Sequence, residues 1–247
     1  GQFVGSVGTV GVNTGGEIMD MLTPVAVGFS TAGQIYIAQL VGAGDETNVK
    51  RAVGTLLTFM LGLSVVISVV VIGMSDLILG WLNCPMEAWG QAKLYMIITA
   101  LGNPFVFGYN AVCGVLRGMG ESKRPLLFII VAAIVNIVLD LLLVTAIPLE
   151  AAGTAIATAG SQLGAFAAAF CFMWKKREKF DFELKLSYFK IDPHILGVLV
   201  KLGIPQVARS LLVRTGMLWV NASANSYGLV VSATNSVGNK LQKFMEL

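Results

Sequence analysis

The sequence predicts an all-α protein built as a polytopic transmembrane helical bundle, and composition is the first reason. Of its 247 residues, 55% are hydrophobic and only 13% are charged, with a mean hydropathy of +0.77, whereas ordinary globular chains carry about 25% charged residues. The second reason is that uncharged runs recur at 21–44, 52–75, 94–116, 151–174 and 215–239. Each run is long enough for a helix to cross a hydrocarbon core of about 30 Å. This composition excludes a water-soluble enzyme, a disordered tail and a small disulfide scaffold.

Seven helical passes are predicted from the places where turn-forming residues interrupt the apolar runs. The first pass ends at the turn formed by residues 42–45, and the third follows a loop that holds Trp81 and Cys84. The fourth begins at Pro125, a residue type that suits the first turn of a helix. The predicted passes cover about 13–42, 48–74, 88–116, 125–147, 151–174 and 193–220, and a seventh starts near 227.

The basic residues predict how the bundle is oriented in the membrane. The connections at 43–51, 117–124 and 175–201 hold twelve Lys and Arg residues, whereas the alternate connections at 76–93, 147–151 and 221–228 hold one. This asymmetry places the first three in the cytoplasm. The excess of 17 basic over 14 acidic residues is therefore a topology signal and does not predict nucleic-acid binding. The predicted location is the plasma or inner membrane.

The sequence carries no signature of an enzyme or of a bound cofactor. His194 is the one histidine, so a histidine metal site or a His-based catalytic triad is not expected. Cys84, Cys113 and Cys171 have no metal-ligand spacing and are expected to be inert packing residues, and Cys84, in a predicted loop, is the one candidate for an exposed thiol. No phosphate-binding loop or nucleophile elbow occurs. We therefore expect a protein that is not an enzyme and that needs no cofactor beyond a coupling ion.

Asp140 is the most informative polar residue, because it lies well inside the fourth predicted pass. A charge near the bilayer centre costs at least about 2.5 to 3.5 kcal/mol, so an intramembrane carboxylate indicates function. Asn136 precedes it by one helical turn and shares its face. The pair predicts a site for a cation or a proton. The alternative is an interhelical hydrogen-bonding pair that only holds the bundle together.

Other polar residues interrupt the neighbouring passes at helical spacing. Thr154, Thr158 and Gln162 form one stripe on the fifth pass. On the third pass the polar interruptions are Tyr95, Asn103 and Asn110, and Pro104 is expected to kink that helix. Packing of small residues would explain any one of these positions alone. Their coincidence with the Asn136/Asp140 face favours a common site.

Two further groups have open interpretations. Glu17 and Asp20 lie about one turn apart near the outward end of the first pass, where the helix dipole favours carboxylates whatever their role. They are also candidates for the wall of a cavity that attracts organic cations. Arg209 and Arg214, in the sixth pass, could extend to the membrane surface, pair with acids or contact an anionic ligand, and Arg209 is a further cavity candidate.

Three segments together resemble the multidrug and toxic compound extrusion (MATE) transporters. Residues 114–125, with 136–140 behind them, are similar to a cytoplasmic loop and the following helix of that family. Residues 38–45 resemble the end of the family's second helix, and 203–205 the start of its seventh. The resemblance covers essentially the whole chain, as helices two to part of eight of a twelve-helix protein. We therefore expect a fragment of a longer polypeptide that lacks helix one.

The resemblance implies two lobes and an efflux activity. Residues 1–186 would form a partial N-terminal lobe with its cytoplasmic linker, and 187–247 the start of the C-terminal lobe. A shift of 223 residues that aligns Gly5 with Gly228 and Gly15 with Gly238 is a weak echo of two homologous halves. The family exports amphipathic, often cationic compounds in exchange for Na+ or H+ by alternating access. The expected partners are organic cations or drugs and the bilayer, with no nucleic acid, and the protein is expected to be a monomer.

The resemblance also implies the site residues. In the archaeal and DinF-like members an N-lobe cation site includes an Asn and an Asp one turn apart, which match Asn136 and Asp140. These two would hold Na+ if the protein is sodium-coupled. A Thr on the next helix matches Thr158, and a Tyr and an Asn on the preceding helix match Tyr95 and Asn110. An aspartate on helix one completes the family's site and lies outside this chain.

The sequence departs from one branch of the family and leaves alternatives to an exporter. The NorM-type members carry a glutamate eight residues after the proline of helix seven, where this chain has Val213, so a NorM-type C-lobe site is not expected. A lipid-linked saccharide flippase of the same superfamily is the main alternative, with Arg209 and Arg214 as its basic cavity residues. A membrane enzyme acting on lipid headgroups would need a polar cluster at one interface. A purely structural subunit would not explain Asp140.

Overall fold

The computed structural model describes residues 5–145, 150–175 and 190–226, and these residues form seven helices and no strand. The helices are α1 (Gly5–Gly42), α2 (Glu46–Gly73), α3 (Ser75–Trp81), α4 (Met86–Gly118), α5 (Lys123–Thr145), α6 (Glu150–Lys175) and α7 (Pro193–Ser226). Six of these, all except the short α3, are long and apolar enough to cross a membrane. The first six predicted passes are confirmed, and the seventh lies outside the described residues.

The short helix α3 was not predicted, because its segment was interpreted as a loop. It spans only Ser75–Trp81, too few residues to show a helical period in the sequence. Leu79 is completely buried beneath it, and Asp76 at its start forms an ion pair of 2.7 Å with Lys93 of α4. Packing against α4 therefore stabilises a helix that its local sequence does not predict.

The prediction that the cysteines are packing residues is confirmed for Cys84 and Cys113, which are buried, and is wrong for Cys171, which is exposed. Cys84, the one candidate for an exposed thiol, is therefore not exposed. The Cys84 backbone N–H donates to the Leu79 carbonyl at 3.1 Å, which turns the side chain inward, and burial raises the pKa of its thiol. Cys171 lies on an exposed face of α6, and a helix long and apolar enough to span a membrane can present apolar side chains outward.

Helix α4 is the centre of the bundle and packs against α1, α2 and α6. Glycines let α1 approach it closely. A Cβ on Gly114 would lie 2.6 Å from the Ser30 carbonyl oxygen of α1, too close for any other residue. At the same level Arg117 of α4 donates from Nε to Gln34 Oε1 at 3.0 Å. The predicted cytoplasmic ends of α1 and α4 are therefore joined by both close packing and hydrogen bonds.

Proline 104 interrupts α4 without leaving a backbone group unpaired. Because Pro104 has no N–H, the Ala100 carbonyl loses its helical donor. Ser68 of α2, which is buried, donates its hydroxyl to that carbonyl at 2.6 Å. The backbone hydrogen bond that Pro104 removes from α4 is thus replaced by a side-chain hydrogen bond from α2.

The first part of α7 is anchored to α1 and α2. Asp192 Oδ1 accepts from the His194 N–H at 2.9 Å and so caps α7, while the Asp192 N–H donates to Thr55 of α2 at 3.2 Å. Leu199 is buried in the main core cluster. One compact unit ends at Gln206 and a second begins at Val207, inside α7. The division predicted from the sequence at residues 186/187 stays a prediction.

Candidate membrane-embedded binding site

A cavity of about 780 Å³ lies within the first compact unit, lined by α1, α4, α5 and α6. Its volume falls in the range of about 300 to 1,000 Å³ that small-molecule sites occupy. The wall combines apolar side chains with a limited number of polar ones. This combination suits a ligand that is itself amphipathic.

The α1 wall of the cavity carries two carboxylates. Asn13, Glu17 and Asp20 line the cavity, and their spacing of four and three residues places them on one face of the helix. The described residues that line this cavity include no Lys or Arg. The wall is therefore acidic, which favours cationic ligands over anionic ones.

The α4 wall is polar, but most of its hydrogen-bonding groups are already used. The Thr99 hydroxyl donates to the Tyr95 carbonyl at 2.8 Å, and Asn110 Nδ2 donates to the Val106 carbonyl at 2.8 Å. Asn103 also lines the cavity and is only 2% exposed, and its Nδ2 has no hydrogen-bond partner within the described part of the chain. Asn110 thus offers its amide oxygen to the cavity while its nitrogen is held by its own helix.

Tyr95 connects the cavity with Asp140. Its hydroxyl lies close to the Thr158 side chain of α6, and the carboxylates of Asp140 and Asp20 both interact with it electrostatically. The Thr158 hydroxyl donates to the Thr154 carbonyl of its own helix at 2.9 Å. Three of the predicted site residues, from three different helices, are therefore neighbours.

Asp140 has an unsatisfied oxygen in the interior. Its Oδ1 is buried and has no hydrogen-bond partner among the residues that the structure describes, and none of these residues forms an ion pair with it. A buried carboxylate oxygen without a partner is costly. The geometry therefore fits an oxygen that takes up a proton or a small cation.

Asn136 lies in a separate, smaller pocket of about 170 Å³. Thr158 and Gln162 line this pocket as well as the larger cavity. Asn136 and Thr158 therefore line the same small pocket, while Tyr95 and Thr158 both line the larger cavity. Gln162 lines both the cavity and the smaller pocket. Its contact with a transported compound stays a prediction.

The remaining predicted residues have different positions. Glu17 and Asp20 line the cavity as expected. Arg209 lies after Gln206, in the second compact unit. Sequence reasoning did not single out Asn13 and Ser161, which line the cavity and the smaller pocket respectively. Asn13 continues the Glu17/Asp20 face by one turn, and that spacing was available in the sequence.

The groups around Asp140 are oxygen donors. A carboxylate, an amide oxygen and hydroxyl groups suit hard cations such as Na+, whereas transition metals prefer imidazole and thiolate ligands. Within the described ranges no group of three or more His, Cys, Asp and Glu side chains is assembled to hold a metal. Asp140 and Asn136, with Thr158, would be the residues that hold Na+ or a proton here.

Comparisons with known proteins agree with this architecture. The family model MatE matches residues 1–142. The chain is 28% identical over 252 residues to the probable multidrug resistance protein YoeA of Bacillus subtilis, covering 100% of this chain and 54% of that protein. It is 30% identical over 207 residues to the probable multidrug resistance protein YpnP of the same organism, covering 82% of this chain and 44% of that one. The chain spans about half the length of these relatives.

A solved structure supports the fold independently. The crystal structure of a MATE protein in the bent conformation superposes with a TM-score of 0.87 at 22% identity, covering 98% of this chain and 55% of that one. At this identity the likeness shows the fold alone. The helices, the superposition and the family match together describe one half of a known type of multi-pass protein of the cell membrane, and the chain belongs to the MatE family.

Proposed function

We propose that the full-length protein exports amphipathic organic cations in exchange for Na+ or H+, by alternating access, with Asp140 at the coupling site. The observation that carries the proposal is the buried Asp140 oxygen, which has no partner among the described residues and whose carboxylate interacts electrostatically with Tyr95 of the cavity wall. The names of the relatives, which are multidrug resistance proteins, support export as the direction of transport.

The cavity wall supports organic cations as the cargo. Glu17 and Asp20 supply negative charge, and residues such as Val27, Phe107 and Ile129 supply apolar surface in the same cavity. A lipid-linked saccharide carries phosphate groups, which two carboxylates would repel. The acidic wall therefore favours the exporter over the flippase.

The position of Tyr95 supports coupling between the two flows. This side chain interacts electrostatically with both Asp140 and Asp20. A positive charge that binds at Asp140 therefore makes the electrostatic potential in the cavity more positive. Two cations held near each other in a partly desolvated site repel one another. Entry of Na+ or H+ at Asp140 thus weakens the binding of a cationic cargo. In an alternating-access cycle this competition releases the cargo on the side from which the coupling ion enters.

The test is transport by the full-length protein in liposomes, with a fluorescent organic cation as cargo and either a sodium or a proton gradient imposed. Asp140→Asn is expected to reduce gradient-driven transport to the background of empty liposomes. Asp76→Asn is the matched control, because Asp76 is an exposed carboxylate paired with Lys93 on the short helix α3. Wild-type transport by a correctly inserted Asp140→Asn protein would refute the coupling role.

A further inference from the structure

One surface of the molecule combines basic residues, aromatic rings and exposed apolar side chains, and it lies away from the cavity. It is formed where α5 begins and α6 ends, and we name it the α5–α6 corner. The corner consists of Lys123, Arg124, Phe172, Trp174 and Lys175. Since α5 and α6 pack side by side, these residues from opposite helix ends lie at the same membrane surface.

Aromatic contacts fix the geometry of this corner. The Arg124 guanidinium carbon lies 5.4 Å from the centre of the Phe172 ring, within cation–π range. The rings of Phe128 and Phe172 meet edge to face at 5.7 Å. On the inner side, the Tyr109 hydroxyl donates to the Pro125 carbonyl at 3.0 Å. The start of α5 is therefore held in place by contacts on two sides.

The corner carries excess positive charge. Lys123, Arg124 and Lys175 are all exposed, and α5 has no acidic residue in its first turn. None of these three basic side chains forms an ion pair with a carboxylate of the described residues. Glu121 lies two residues before Lys123, and Glu178 lies three residues after Lys175 with Lys176 and Arg177 between them, so basic residues outnumber acidic ones along both segments. The N-terminal dipole of α5 adds to the attraction for anions.

Beneath the charges, α5 presents apolar side chains. Leu127, Val131 and Ile134 are 48%, 57% and 57% exposed and continue along the helix from Arg124. Trp174 is 46% exposed at the end of α6, and tryptophan prefers the level of the lipid headgroups. The surface thus has a cationic end at headgroup depth and an apolar strip at acyl-chain depth.

We propose that the α5–α6 corner binds an anionic phospholipid, whose phosphate lies against Lys123, Arg124 and Lys175 and whose acyl chains lie along α5. A lipid with a net negative headgroup fits because three cations and a helix N-terminus face it. A zwitterionic headgroup brings its own ammonium group to the same cations and is repelled in part. This proposal does not depend on what the protein transports.

The test is native mass spectrometry of the full-length protein with phosphatidylglycerol added, compared with phosphatidylcholine. The double variant Lys123→Gln, Arg124→Gln is expected to bind phosphatidylglycerol about 30-fold more weakly, since each basic residue near an anionic surface contributes about 1 kcal/mol. The control is Lys50→Gln, Arg51→Gln, which removes the same charge from the start of α2, a helix end with the same predicted orientation. Arg51 interacts with the Asp45 carboxylate, so this control is expected to change binding less than about threefold.

Three results would overturn the proposal. The first is an equal loss in both double variants, and the second is equal binding of phosphatidylcholine and phosphatidylglycerol. The third is displacement of the lipid by soluble glycerol phosphate at matched concentration, because the apolar strip would then contribute nothing. Arg124→Lys controls for folding, as it keeps the charge but changes the stacking on Phe172. It is expected to bind within about threefold of the wild type, and a loss as large as that of the double Gln variant in a folded protein would count against the charge.

Discussion

Helices α4 and α5 both cross the membrane, yet they are built in opposite ways. Most of α4 is buried, and three of its polar side chains, those of Thr99, Tyr109 and Asn110, make hydrogen bonds within the bundle. Few residues of α5 are buried, and its one carboxylate, on Asp140, keeps an oxygen without a partner among the described residues. The first helix is mainly a packed scaffold, although the Asn103 Nδ2 on it also lacks a partner in that part of the chain. The second carries a group that another species must satisfy.

This difference indicates that α4 contributes mainly to the stability of the bundle, whereas Asp140 of α5 contributes mainly to its function. Changes on α4 should mainly lower stability, because they remove packing or paired hydrogen bonds. Changes at Asp140 should mainly alter function, because no native contact of Oδ1 is lost there. The predictions that follow test this separation, beginning with the largest expected effect.

Gly114→Val should have the largest effect on the scaffold. A Cβ at this position would lie 2.6 Å from the Ser30 carbonyl oxygen and 2.7 Å from its hydroxyl. The substitution must push α1 away, and it threatens the bond of 2.6 Å that the Ser30 hydroxyl donates to the Asn110 carbonyl. We expect a loss of about 3 kcal/mol or more in the free energy of unfolding, measured by thermal unfolding of the purified protein in detergent.

The control for this change is Gly164→Val on α6. A Cβ there meets nothing within 4 Å, and valine is a better helix former than glycine by a few tenths of a kcal/mol. This variant should be as stable as the wild type. Equal destabilisation by the two substitutions would show that the close approach of α1 and α4 is not what the glycine provides.

Asp140→Asn should leave stability unchanged or raise it slightly, in contrast to the changes on α4. The substitution keeps the shape and removes a carboxylate whose Oδ1 is buried without a partner. The coupling ion should then stabilise only the wild type, by about 2.7 kcal/mol at a concentration 100 times its dissociation constant. Thermal unfolding with and without Na+, and at two proton concentrations, measures this difference. Equal stabilisation of both proteins by the same ion would place the ion site elsewhere.

Ser68→Ala tests the paired hydrogen bonds of α4 on a finer scale. With Pro104 present, loss of the Ser68 hydroxyl leaves the Ala100 carbonyl without its donor, and we expect a cost of about 1 to 2 kcal/mol. In a Pro104→Ala background the new N–H of residue 104 can donate to that carbonyl. The same serine substitution should then cost at least about 1 kcal/mol less. A double-mutant cycle of unfolding free energies gives the coupling, and a coupling of zero would contradict the compensation.

The sequence predicted the fold better than the contacts between its helices. Long uncharged runs bounded by residues such as Pro125 are enough to predict spanning helices, because length and hydropathy decide insertion. Asp140 was proposed because a charge in an apolar run is costly, and Asn136 because it lies one turn earlier on the same helix face, and both stay predictions. The two-turn helix α3 and the buried Cys84 were missed, since tertiary contacts with α4 determine both.

Contacts between distant helices could not be predicted from spacing. The bond from Ser68 to Ala100 and the link between Arg117 and Gln34 join residues far apart in the sequence. Helical periodicity tells which face of one helix is polar, but it does not tell which other helix meets that face. That Thr158 lines one cavity with Tyr95 and another pocket with Asn136 follows only from the packed arrangement.

The smallest effect is expected at Asp45, the N-cap residue of α2, which lies outside α4 and α5. The pH dependence of stability at this surface carboxylate serves as a reference for the carboxylate of Asp140, whose Oδ1 is buried. Asp45 caps α2 by accepting from the Asn48 N–H at 3.1 Å and from its amide at 2.7 Å, and these bonds hold the pKa of the carboxyl below its ordinary value of 3.8. A lowered pKa in the folded state means that the stabilisation is full above the ordinary pKa and is lost as the pH falls through the folded value.

The stability difference between the wild type and Asp45→Ala should therefore be constant from neutral pH down to about pH 5 and shrink below about pH 4. Asp45→Asn keeps an acceptor that does not titrate, so its difference from Asp45→Ala should stay constant in the same unfolding measurements. A wild-type difference that is equally constant would show that the charge of Asp45 adds nothing to the cap.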